Sequence, residues 1–213
     1  VNKFPFSVAT VMSVTRGRYA APFESPWWST SRVVPFPTYT LHWQVYQGGL
    51  TNRYLVHALQ ALSLRPPLVH ELFGQSVPGN SSIEAGVFVV TLYKNGQYIP
   101  TEIDDLFPCD ANGHVLSCFS EDFPYILWPS LVEKAFAKLH CAGREESSGW
   151  EIVGEGGSVE EMLVDLTGGV GGRWYTKDVS PDRLFVYIHE LQREALFCCS
   201  VDERQCDIRG IFF

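Results

Sequence analysis

QGGLTNRYLVHALQAL, residues Gln47 to Leu62, joins a polar glycine-bearing loop directly to an apolar pattern of helical period. Leu55, Ala58, Leu59 and Leu62 recur at three- and four-residue spacing and so fall on one face of a helix, predicted from Arg53 to Leu64. Pro66 and Pro67 end that run, because a proline inside a helix removes a backbone donor and clashes with the preceding turn. The helix therefore starts on an arginine. Its first turn carries the positive end of the backbone dipole, a place where a cation is electrostatically disfavoured.

Outward from this segment the chain reads as an ordered alternation of helix and hairpin. Val87 to Tyr93 and Tyr98 to Ile103 flank Lys94, Asn95, Gly96 and Gln97, and asparagine followed by glycine is the strongest short signal for a tight hairpin. A second such turn is expected at Asn112 and Gly113. Ser130 to His140 places Leu131, Ala135, Phe136 and Leu139 on one face, with Glu133 and Lys134 assigned to solvent. Ser158 and Glu161 have capping-box spacing ahead of Met162, Leu163 and Leu166, and Ser180 with Pro181 opens a helix carrying Leu184, Ile188 and Leu191. Leu196 to Val201 reads as a strand, and Ile211 to Phe213 as part of another. Residues 1–46 carry Pro5, Pro22, Pro26, Pro35 and Pro37 among many aromatics, Trp27, Trp28 and Trp43 included; an extended arm lying against the domain or a partner is expected.

Composition excludes several functions. With 46% hydrophobic residues, the 213-residue chain can bury a sizeable core. A net charge of −8 and no Lys/Arg cluster argue against a phosphate-backbone partner, so no nucleic acid is expected. Apolar runs such as Val87 to Val90 fall far short of the ~20 residues a membrane helix requires, and no membrane partner is expected. Only 19% of residues are charged, which fits a subunit partly covered by protein partners in a larger assembly. Cys109, Cys118, Cys141, Cys198, Cys199 and Cys206 show neither a secreted disulfide framework nor zinc or redox spacing, so a reducing cytoplasm is the expected compartment. The N-terminal stretch from Val1 shows no secretory leader pattern. The glycines at 168, 169, 171 and 172 follow a helix, whereas phosphate-binding glycine loops follow a strand; they read as a hinge.

Four blocks together resemble the calpain cysteine-protease core over roughly residues 27 to 213. They are QGGLTNRYLVHALQALSL from Gln47, NGQYIPTEIDDLFP from Asn95, WPSLVEKAFAKLH from Trp128 and VDLTGGVGGRWY from Val164. The first is similar to that family's nucleophile block. Thr51, Asn52 and Arg53 stand where glycine, aspartate and the nucleophilic cysteine are expected, and Tyr54 where a tryptophan is expected. The resemblance implies an α+β, papain-like fold. It divides the chain into an extended arm at 1–46, a first protease-core subdomain at 47–178 and the start of a β-rich second subdomain at 179–213. In calpains the catalytic histidine and asparagine lie downstream of a segment resembling Leu196 to Phe213, so this chain is expected to stop before them.

Function does not follow from fold alone. A thiol protease needs a thiolate at a helix N-terminus beside an imidazole, where the dipole lowers the cysteine pKa. Arg53 stays protonated and offers no usable lone pair for attack. Gln47 keeps the oxyanion-hole position by resemblance, but without a nucleophile it has no tetrahedral intermediate to stabilise. His42, His57, His70, His114, His140 and His189 are scattered, and none is paired with a cysteine in a nucleophile motif.

The expected protein is therefore a catalytically inactive calpain-like pseudopeptidase, with a degenerate site at Gln47 and Arg53 and a structural or scaffolding role. The expected location is the cytoplasm, with the cytoskeleton or a flagellum as the candidate assembly. No cofactor is expected. Calcium is the one candidate ion, because calpain cores bind it through carboxylates and carbonyls, and Asp104 with Asp105 would be its ligands here. The alternatives are a calcium-responsive regulatory module and a fragment of a calpain-type protease.

Overall fold

A computed structural model of the chain describes residues 11–13, 44–74, 86–110, 114–120, 126–141, 149–201 and 208–212. The turn expected at Asn112 and Gly113, Trp27, Trp28, Trp43 and most of the aromatic arm lie outside these residues. The architecture is α+β. Helices α2 (Pro66–Phe73), α3 (Trp128–Cys141) and α5 (Val159–Thr167) pack on the long hairpin β3 (Val87–Lys94) and β4 (Gln97–Asp104), and α1 (Arg53–Ser63) packs on α2 and α5. The short helix α4 (Gly149–Gly154) lies on α3.

Apolar periodicity dictates this arrangement. Leu55, Val56, Ala58, Leu59, Ala61 and Leu62 bury the inner face of α1, while Phe88, Val90 and Leu92 alternate inward along β3. Trp128, Leu131, Val132, Ala135 and Phe136 complete the core from α3. The hairpin turns on Asn95 and Gly96 at φ of 52° and 82°, both positive as a two-residue turn of this hand requires. Tyr93 and Tyr98 face each other across it, with ring centroids 5.0 Å apart.

Helix α1 ends at Ser63, with Leu64 as its C-cap, just ahead of Pro66 and Pro67 as expected, but the two prolines also begin a helix. They occupy the first turn of α2, where the missing proline donor is not needed by the helix, so a pattern read as a stop is also a start. Glu133 is likewise not solvated; it is fully buried. Ser158 is the N-cap of α5 but makes no side-chain cap bond, and its hydroxyl instead accepts from Arg173 Nη2 at 3.2 Å. Ser180 does cap α6 (Pro181–Leu191), its hydroxyl accepting from Arg183 N at 3.4 Å. Gly168 is the left-handed cap of α5, with φ of 68°, and an added Cβ there would meet the Tyr98 hydroxyl at 2.3 Å. The glycine run thus begins as a helix terminator packed on the hairpin.

Four short pieces join distant parts of the chain. Strand β1 (Val11–Ser13), from the arm, pairs antiparallel with β5 (Leu106–Pro108), and β2 (Val45–Tyr46) pairs with β6 (Phe119–Ser120). A three-stranded antiparallel sheet near the end of the chain has the order β7 (Arg173–Trp174), β9 (Ile208–Phe212), β8 (Cys198–Val201). The strand expected over Leu196 to Val201 and the one ending near Phe213 are both present there. No described helix is long and apolar enough to cross a membrane.

Candidate functional site

The loop Gln47 to Asn52 crosses the segment Leu116 to Cys118 at backbone contact and then enters α1. Gly49 N donates to the Leu116 carbonyl at 2.8 Å. A Cβ on Gly48 would sit 2.2 Å from the Ser117 carbonyl oxygen, a distance no side chain tolerates, so glycine is required by the closeness of the two backbones. Replacing Gly48 by alanine is expected to cost about 1–3 kcal/mol, because the clash is with backbone and one strand of the crossing must shift. An unchanged urea midpoint would show that the crossing is looser than this.

Beyond the crossing, the loop is tied to its surroundings by side chains. Thr51 Oγ1 donates to the Gly154 carbonyl at 2.9 Å and Tyr54 OH to the Val153 carbonyl at 3.3 Å, fixing α4 against the start of α1. Burial, followed by the nearby Glu133 and Asp165 carboxyls, pushes the Tyr54 phenol up to about 12. Gln47, half-buried, donates through Nε2 to the Leu50 carbonyl at 2.5 Å, so its amide closes its own loop. Arg53 is the first residue of α1 and is exposed. The first turn of α1 contains no acidic residue, and Arg53 has no ion pair among the described residues. Its guanidinium therefore projects into solvent from the positive end of the helix.

Asn52 and Glu133 make the contact beneath the site that the sequence did not foretell. The Asn52 carbonyl accepts from Leu55 N at 3.0 Å and Val56 N at 3.3 Å, starting the helix, but its side chain makes no cap bond. Its Nδ2 donates to Glu133 Oε1 instead. Glu133 Oε2 accepts from the Cys118 backbone N–H, and Ser130 Oγ donates to the Cys118 carbonyl at 2.6 Å. One buried carboxylate thus binds the helix start to the segment that the loop crosses. Burial pushes Glu133 up to about 7, with the donors from Cys118 and Asn52 pulling the other way.

The candidate calcium ligands part company. Asp104 is exposed and pairs with Lys134 Nζ at 2.5 Å; Asp105, next in sequence, is fully buried. Among the described residues no three His, Cys, Asp or Glu side chains are grouped so as to hold a metal. Three of the cysteines, Cys109, Cys118 and Cys198, are set against a nucleophilic role. Burial raises the Cys109 and Cys198 thiols to about 11 and Cys118 well above the ordinary thiol range, the reverse of what activation requires. His57 is exposed one turn after Arg53, and Cys198 Sγ lies 3.8 Å from its backbone carbonyl, not its ring.

A glutamine-bearing loop delivered to the start of a buried helix, backed by a hairpin and two further helices, is the layout of a papain-like first subdomain. The profile described as calpain family cysteine protease matches residues 3–210. The chain belongs to the calpain family. It is 32% identical over 162 residues to the calpain-1 catalytic subunit of Macaca fascicularis, covering 74% of this chain and 21% of the relative. It is 33% identical over 155 residues to calpain-12 of Mus musculus, covering 71% and 20%, and 36% identical over 146 residues to calpain-10 of Rattus norvegicus, covering 68% and 20%. This calpain-family chain therefore spans about a fifth of the length of the curated relatives it matches.

Proposed function

We propose that this calpain-family chain is a catalytically inactive pseudopeptidase that acts as a structural or scaffolding subunit in a cytoplasmic or cytoskeletal assembly. The observation that carries the reading is Arg53 at the first position of α1, exposed and without an ion pair among the described residues. A thiolate at that position would be stabilised by the helix dipole; a guanidinium is opposed by it and has no chemistry to perform as a nucleophile. Gln47 supports the same reading, because its amide donor is directed at the Leu50 carbonyl and not toward the helix start. A protease fold released from catalysis keeps the surface around Gln47 and Arg53 free to serve protein partners.

In this reading the former cleft is a contact surface and Arg53 meets a carboxylate supplied by a partner. Replacing Arg53 with Glu is then expected to weaken incorporation into the native assembly by about tenfold, through loss of one ion pair and introduction of a repelling charge. Co-purification from cells expressing the variant measures this. Incorporation at the level of the unaltered chain would remove Arg53 and the cleft from the interface. Calcium titration of the same chain separates the scaffold from a calcium-responsive module built on Asp104 and Asp105. Saturable calcium binding that is lost on replacing both aspartates with asparagine would favour the second.

A further inference from the structure

We propose that the outer face of α6 is a self-association surface: a second copy of this chain lays its own α6 against it antiparallel, with Phe185 and Val186 at the centre and Arg183 of each copy facing Glu190 of the other. The inference does not rest on the scaffold reading, since self-association is a property of the isolated chain.

Helix α6 has two apolar faces where a surface helix needs one. Leu184, Tyr187, Ile188 and Leu191 recur at three- and four-residue spacing and form a half-buried inner face. Tyr187 packs on Trp174 of β7 with ring centroids 4.6 Å apart, and Arg65, the N-cap of α2, donates to the Gln192 carbonyl at the helix end. These contacts hold α6 in place, yet no residue of the helix is buried. Asp182, Phe185, Val186 and His189 lie on the opposite side. Phe185 is 68% exposed and Val186 49%, and the Phe185 ring stacks on that of His189 at 6.1 Å between centroids. Two adjacent apolar side chains, on the side where a surface helix ordinarily carries only polar groups, mark a contact surface.

The charges around Phe185 and Val186 specify what covers them. Residues seven apart stand two turns, about 10.5 Å, from each other on one side of a helix. Asp182 and His189 are such a pair on the outer face, Arg183 and Glu190 such a pair on its flank, and all four are exposed. None of the four is ion-paired within the chain among the described residues. Arg183 donates from Nε and Nη2 to the Tyr187 hydroxyl at 3.1 and 2.8 Å, which leaves its other guanidinium donors for a carboxylate.

When two copies of a helix meet antiparallel about a two-fold axis, each flank meets the same flank of the other copy with its ends exchanged. With the axis at Val186, Arg183 faces Glu190 of the second copy and Asp182 faces its His189, each contact being made twice. A parallel arrangement would set Arg183 against Arg183 and Asp182 against Asp182. The same inversion of charge continues outside the helix, where exposed Lys177 and Asp178 precede it and exposed Arg193 and Glu194 follow it. An unrelated partner has no reason to match that inversion, whereas a second copy matches it by construction. The 11-residue helix is about 16 Å long, so the contact is smaller than a standard interface, and a dissociation constant of roughly 10–100 µM is expected.

Sedimentation velocity on the full chain, between about 1 and 300 µM, is expected to show a monomer–dimer equilibrium in that range. Val186→Glu, which brings two like charges together at the axis, should weaken the dimer at least about tenfold. Arg183→Glu should weaken it about fivefold by facing Glu190 of the second copy, and adding Glu190→Arg should restore it. The double exchange puts an acid in the first turn of α6 and a base in the last, which suits the helix dipole, so the helix signal in circular dichroism should be retained. A chain that stays monomeric throughout the range, whatever then covers the face, would overturn the proposal. So would a dimer that Val186→Glu leaves intact, or one weakened by Arg183→Glu and not recovered in the double exchange.

Discussion

Incubated with casein or a fluorogenic peptide, with or without calcium, the chain is expected to leave the substrate intact, at least about 10³-fold below the turnover of an active calpain. The size of the effect reflects the loss of a whole chemical step. Arg53 at the start of α1 has no attacking electron pair, and Cys109, Cys118 and Cys198 are all shifted away from the thiolate form. Arg53→Cys alone is expected to remain inactive, since a thiol without an imidazole beside it is poorly activated. Cleavage that survives repurification and is abolished by thiol alkylation would show that a working nucleophile and base are present after all.

The second large effect concerns stability against pH. Glu133, fully buried, has a folded-state pKa of about 7 against an ordinary value of 4.5, so between those values the native chain binds more protons than the unfolded one. The stability slope with pH is then negative. Stability is greatest below about pH 4.5 as far as this group is concerned, and falls by ~3 kcal/mol as pH rises through about 7, then levels off. Glu133→Gln removes this contribution, so subtracting its urea-unfolding profile from that of the unaltered chain should leave a descending curve over that interval. A flat difference would mean that Glu133 keeps its ordinary pKa and is hydrated in the native state.

What could be read in advance depended on whether the signal was local. The face of α1 follows from Leu55, Ala58, Leu59 and Leu62, and the hairpin from Asn95 and Gly96, all neighbours along the chain. Pro66 and Pro67 marked the end of α1 correctly but hid the start of α2, because the same rigid φ and missing donor that stop one helix suit the first turn of the next. Glu133 misled for a different reason. Its neighbour Lys134 is charged and its helix is amphipathic, so pattern alone sends it to solvent. What buries it are donors from Asn52, 81 residues away, and Cys118, 15 residues away. No window of local sequence contains that set. In the site, Gln47 and Arg53 were legible as positions on a loop and a helix start, whereas the diversion of the Asn52 side chain was visible only after the chain had folded back on itself.

The order of strands in the terminal sheet bears on how the chain is made. Strand β9 lies in the middle, hydrogen-bonded to both β7 and β8, yet it is the last of the three in sequence. During synthesis β7 and β8 are therefore made before the strand that joins them. Until Ile208 to Phe212 emerge, the ladder edges of both that β9 will cover stay open to solvent or to a neighbouring nascent chain. Among the described residues the core around α1 and α3 runs from Val45 to Leu166, with Leu196 and Cys198 packed against it. A chain ending before residue 208 should thus carry two strands whose ladder edges stay uncovered, a defined, sequence-encoded target for a chaperone.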